Sequence, residues 1–274
     1  MDTHRTFTKG YMKQIFSLIV TIIASSIVSV ADSAEIATTN SEAIHGFWDN
    51  SIRDHYVSYR ISRKVNKTPV WWSELEVDLP WRGIYFDLWS SDALNSSKSQ
   101  QKANEFDVSV GKRTKIGDLT IDCQLRYFNF DSVGDWFDAG DFMGAGMLAT
   151  YKEYQIGYNN SIQPAIDIEW LSKLEDLNTS GPIVQPGLIH KWKAPFGLKC
   201  LTIVDKDWVC WADCRFKKDD TSGLMFRTDA AFVWALSKHF ELSVPGLRLI
   251  TPIVETADGR RTVVSVWGSL RFKF

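Results

Sequence analysis

From residue 54 onward the apolar positions of this chain recur at every second residue. Leu75, Val77 and Leu79 alternate with Glu74, Glu76 and Asp78, and Phe106, Val108 and Val110 with Glu105, Asp107 and Ser109. Leu119, Ile121, Cys123, Leu125 and Tyr127 are interleaved with Thr120, Asp122, Gln124 and Arg126. Near the C-terminus, Val264, Val266, Leu270, Phe272 and Phe274 oppose Ser265, Trp267, Ser269, Arg271 and Lys273. No segment sustains the three-and-four spacing of an amphipathic helix, so the chain reads as all-β. The alternation predicts about twelve strands, within a range of about ten to fourteen. They fall near 55–62, 70–79, 83–90, 104–112, 118–128, 149–158, 165–173, 183–193, 198–207, 225–236, 240–250 and 262–274.

The connections alternate in length. Short turns occur at LPWRG, KRTKIGD, NNSIQP, KAPFG and LSKHF, whereas the links between them are longer and polar. A soluble sandwich has no reason to sort its loops this way, but an antiparallel up-and-down transmembrane β-barrel does, with short turns on one side of the bilayer and longer loops on the other. Aromatic residues gather near strand ends, among them Trp71, Trp81, Trp170, Trp192 and Trp234, where interfacial girdles sit. The chain ends in Phe274, on an apolar phase, which suits the terminal signal read by barrel-assembly machinery. The competing fold is a secreted sandwich or lipocalin-like barrel with its apolar phase inward.

The N-terminus follows a different pattern. Arg5, Lys9 and Lys13 precede an apolar run from Ile15 to Val30 and small residues at Ser29 and Ala31, as in a secretory signal peptide covering 1–31. Residues 32–53 then form a periplasmic or luminal lead-in, and 54–274 the barrel. The 31 Lys and Arg against 33 Asp and Glu give a net charge of −2, without the basic footprint of a nucleic-acid binder. An apolar content of 45% excludes a disordered chain. Export makes a Cys210–Cys214 disulfide within CWADC a candidate. Metal-ligand spacings, phosphate-cradling loops and dinucleotide fingerprints are absent, so neither a metal nor an organic cofactor is expected.

The stretch EFDVSVGKRTKIGDLTIDCQLRYFNFD (105–131) resembles the corresponding hairpin of the TorF-like porins of the Gram-negative outer membrane. VSYRISRK (57–64), QPAIDIEWL and GLIHKWKAPFGL are similar to the same group. The resemblance covers most of the mature chain as pattern and the hairpin residue by residue. It implies a barrel and a channel, surrounded by outer-membrane lipid and lipopolysaccharide, and brings no catalytic residues.

In such a barrel the polar phase lines the interior. Strands two to four then supply an acidic wall of Glu74, Glu76, Asp78, Asp87, Glu105 and Asp107. The inward phases elsewhere add Asp122, Arg126, Asp167, Glu169 and Asp229, and strands eight to ten add Lys191, Lys193, Lys199 and Arg227, with Arg271 at the seam. Opposed charged walls set up a transverse field across a narrow lumen, one means of selecting ions or orienting polar solutes. The expected activity is passive diffusion of small polar solutes or ions, not enzymatic chemistry. Two alternatives stand beside it. One is a closed barrel whose inner charges pair with one another; the other is an outer-membrane lipid hydrolase using His55 or His190.

Overall fold

The computed structural model describes residues 44–58, 63–80, 83–95, 104–129, 141–173, 181–212, 223–253 and 261–274. The expected signal peptide, Trp81 and Cys214 lie outside them. Twelve long strands follow one another: β1 (His45–Arg53), β2 (Val70–Asp78), β3 (Ile84–Ala93), β4 (Glu105–Ile116), β5 (Leu119–Asn129) and β6 (Phe142–Thr150). The second half comprises β7 (Asn160–Lys173), β8 (Gly181–Lys193), β9 (Leu201–Ala212), β10 (Gly223–Ala235), β11 (Phe240–Pro252) and β12 (Val263–Lys273). Each pairs antiparallel with its neighbours in sequence, and β12 returns to β1 with Phe272 opposite Trp48 and Arg271 opposite Asp49. The result is a closed twelve-stranded antiparallel barrel, in which every long strand has partners on both sides.

The burial of the two phases is inverted relative to a soluble fold. Trp48, Ile52, Val110, Leu188, Val209, Leu247, Val266 and Leu270 are exposed on the outer wall, whereas Glu76, Asp87, Glu105, Asp107, Glu169 and Gln185 are buried within. A sandwich would bury the first set and expose the second. Half of each strand is therefore hydrophilic by design, which is why the composition resembles that of a soluble protein.

Two strands lie elsewhere than the alternation suggests. The barrel begins at His45, inside the stretch expected as a lead-in, and not at residue 55. HGFWDNSIR carries Asn50 on its outward phase between Trp48 and Ile52, so its apolar contrast is low. What defines it as a strand is the pairing on both flanks, with Asp49 opposite Glu74 on one side and Arg271 on the other. The sixth strand is Phe142–Thr150, and the expected 149–158 segment divides. FMGAGMLAT has Gly144, Ala145 and Gly146 at its centre, which carry almost no hydrophobic signal. Tyr154–Gly157 is a short separate strand against the start of β7.

The first long connection, between β1 and β2, contains a two-residue ribbon in which Val57–Ser58 pairs with Arg63–Lys64. Val57 is 3% exposed and belongs to one packed cluster with Phe128, Leu171, Ile183, Cys210, Met225, Ile250 and Val263. Those seven sit on the inward phases of β5 and of β7 to β12, toward the long-connection end. This part of the connection therefore lies inside the barrel, with Val57 held in an apolar collar.

Candidate functional site

Below the collar the lumen holds a cavity of about 610 Å³. Trp72, Trp89 and Trp267 lie toward its collar side, and Lys191, Glu241 and Lys273 beside the short turns. Between them stand Asp49, Arg53, Glu74, Lys206, Asp229 and Arg271.

The acidic wall is present on consecutive strands, but it is not bare. Arg113 donates from Nη1 to Glu76 at 2.9 Å and from Nε to Asp122 at 2.9 Å, with Asp78 at 3.3 Å. Its guanidinium carbon lies 4.1 Å from the centre of the Tyr85 ring, and the Tyr85 hydroxyl donates to Asp122 at 2.7 Å. Asp87 accepts from Ser109 at 3.0 Å, and Glu105 from the Tyr56 hydroxyl at 2.6 Å. Asp107 is buried on β4, and Glu74 faces the cavity. Asp167 accepts from Gln185 at 2.9 Å, Glu169 is buried on β7, and Arg126 donates to Gln124 at 3.0 Å.

On the other side, Asp229 is held between Arg227 at 3.0 Å and Arg248. Arg271 reaches Asp49 with Nε at 2.9 Å and Nη2 at 2.7 Å. Lys191 and Lys193 meet Glu153 at 3.3 and 3.7 Å, at the short-turn mouth. The Ser161 hydroxyl also donates to Glu153, and this bond, with the two lysines, holds its carboxyl below its ordinary pKa of 4.5. Lys199 lies apart from these groups: β9 starts at Leu201, and Lys199 is exposed on the turn after Pro195–Gly197. Cys210 is buried in the collar, and its expected partner Cys214 lies outside the described residues.

Several lumen residues escape a reading of alternation alone. Asp49 and Arg53 lie on the unrecognised first strand. Arg113 lies one residue beyond the expected end of β4, which runs on to Ile116 and turns at Gly117, where φ is +60°. Arg248 is turned inward by a bulge: the register between β11 and β12 slips after Ser243, at the step containing Pro245. Without that slip, Leu247 and Leu249 would face the lumen and Arg248 the outside.

Three cross-strand pairs place an aromatic ring over a glycine on the inner wall: Tyr85 on Gly111, Trp208 on Gly187 and Trp267 on Gly246. A Cβ built on Gly111 would lie 2.2 Å from the Tyr85 ring, so only glycine lets the ring lie flat. An arginine covers each ring. Arg113 stands over Tyr85, Arg227 lies 5.5 Å from Trp208, and Arg53 lies 5.3 Å from Trp267 and 3.5 Å from Trp72. Flattened rings leave the centre of the lumen to the charges.

The histidines are differently wired from a hydrolytic triad. His55 Nδ1 is 2.9 Å from Asp54, and the Ser265 hydroxyl donates to the other Asp54 oxygen at 2.7 Å. The carboxylate thus stands between serine and histidine, where it orients both and activates neither as a nucleophile. His190 is on the outward phase of β8, 3.1 Å from Asn160 Oδ1.

No family model and no curated protein matches the chain. Solved structures with the same fold include an outer membrane channel from Pseudomonas putida F1, at 9% identity and a TM-score of 0.51, covering 89% of this chain and 99% of that one. The NanC porin is 10% identical with a TM-score of 0.49, over 85% and 100% of the two chains. The KdgM porin, solved in complex with disordered oligogalacturonate, is 9% identical with a TM-score of 0.47, over 84% and 99%. At 9% identity the likeness to the Pseudomonas putida channel is one of fold alone.

Proposed function

We propose that this chain is an outer-membrane channel of the TorF-like porin kind, passing small polar solutes or ions passively through its lumen. The observation that carries the reading is the charge-lined cavity enclosed by a wall whose outer face is apolar. Water and charge inside, hydrocarbon outside, is the arrangement a bilayer pore needs. In this reading residues 1–31 direct export, Phe274 is read by the assembly machinery, and the short turns face the periplasm. The polar-phase residues of the acidic and basic walls line the pore.

The apolar collar supports a second reading, a barrel closed at its long-connection end by Val57. Planar bilayers separate the two. Purified protein that migrates as a heat-modifiable folded barrel is expected to give stepwise conductance; folded protein without conductance overturns the channel in favour of the closed barrel. A lipid hydrolase is disfavoured by the bonding of Ser265 to Asp54 in place of a histidine.

A further inference from the structure

Lys206 differs from the paired charges of the lumen. Its side chain extends from the inward phase of β9 into the cavity, and it forms no ion pair among the described residues. The carboxylate directly across the strand pair, Asp229, is already divided between Arg227 and Arg248. Arg53 faces the same cavity. Its guanidinium is stacked on Trp72 and its buried Nε has no acceptor among the described residues, while the nearest strand-mate carboxylate, Asp49, is occupied by Arg271. Lys206 is exposed to the lumen; a second buried donor without an acceptor among the described residues, the indole N–H of Trp72, lines the same space.

Arg53 and Lys206 share the cavity with Glu74, and neither forms an ion pair among the described residues. Buried donors left unmade are costly, and the expense falls when an acceptor enters. Both cations line the same cavity. Beside them Trp72 and Trp89 meet edge to face at 5.0 Å and present an apolar wall.

We propose that the mid-lumen is an anion subsite. Arg53 and Lys206 bind the oxyanion of a small organic solute, the Trp72 N–H supplies a third donor, and the carbon part of the solute lies against Trp72 and Trp89. The subsite deepens the channel reading, on which its role in transport rests; binding itself does not require conduction. Planar guanidinium and a point-charge ammonium together suit a carboxylate or a phosphate.

Tryptophan fluorescence and calorimetric titration of the detergent-folded barrel test the subsite, with benzoate, acetate and inorganic phosphate as probes. Saturable binding is expected, tightest for benzoate if the carboxylate is the recognised group and for phosphate if charge alone decides. Lys206→Gln is expected to weaken it by about tenfold, Arg53→Lys to weaken it less than Arg53→Met, and Lys199→Gln, on the exposed turn, to leave it unchanged. In bilayers under a KCl gradient the reversal potential is expected to report anion preference that Lys206→Gln reduces. Binding without conductance would support the subsite and remove the channel. Conductance with no saturable binding of any probe, or with Lys206→Gln binding like the unmodified protein, would overturn the subsite and leave the channel standing.

Discussion

Replacing Arg113 by Met isolates the ion cluster of the acidic wall. The guanidinium side chain is 37% exposed, so part of its interaction is screened by water. Its partners differ: the Glu76 side chain is 10% exposed and Asp122 20%, whereas Asp78 is 44% exposed. The Asp78 contact is then worth about 0–1 kcal/mol. Bidentate bonding to Glu76 and the bond to Asp122 are charge-assisted, at about 1.5–3 kcal/mol each before screening. Removal also strands two carboxylates on the inner wall, beside the Tyr85 ring. Screening brings the expected loss to about 3 kcal/mol. Urea unfolding of the barrel in detergent micelles, followed by tryptophan fluorescence, measures it. Neutralising the stranded acid in the double variant Arg113→Met/Glu76→Gln is expected to recover about half. A single-variant loss below about 1 kcal/mol, or no recovery in the double variant, would show that solvent in the lumen already compensates these charges.

Gly246→Ala places a methyl group where the Trp267 ring lies and is expected to cost about 1–3 kcal/mol, visible as a lowered unfolding midpoint and a changed near-ultraviolet dichroism. Because the Glu153 carboxyl is held below its ordinary 4.5, its contribution is complete above that value and disappears as pH falls below it. The unfolding midpoint of the unmodified barrel should therefore decline more steeply below pH 4.5 than that of Glu153→Gln; parallel curves would refute the assignment. Val57→Asp puts a charge in the collar and is expected to raise single-channel conductance, a result that equal conductance would contradict. Phe274→Ala is expected to lower the amount of assembled barrel in cells while leaving refolding in detergent intact, and equal assembly would remove Phe274 as a signal.

The barrel was legible because its signal is summed over many strands. Alternation from Glu74 to Asp78, or from Thr120 to Tyr127, leaves one register in which all charges share a face. The weaker stretches failed where side chains carry no contrast. Gly144 to Gly146 hide β6, and β1 shows its identity only through its partners on both flanks, Glu74 on β2 and, more than two hundred residues away, Arg271 on β12. The lumen was legible for residues such as Glu76 and Arg227, whose phase is regular. It was illegible at Arg248, because a bulge reverses the phase, and at Val57, because a connecting segment inside a barrel has no periodicity to announce it. The apolar collar was hidden for a related reason: Met225 and Ile250 share an inward phase with Arg227 and Arg248, so the same face of one strand changes character along its length.

The position of Val57 also bears on the order of assembly. Its segment leaves β1, near the start of the barrel sequence, yet it is packed with Ile250 of β11 and Val263 of β12, the last strands to be made. Its strand members meet on an open sheet, with Cys210 opposite Met225 and Ile250 opposite Val263, but Val57 joins them only as the two ends of that sheet meet. Two closures therefore coincide, the pairing of β12 with β1 and the seating of the segment that follows β1. A chain that zips its seam with this segment outside has a complete hydrogen-bond ring and an empty collar, a trapped product that differs from the native barrel in its filling and not in its wall.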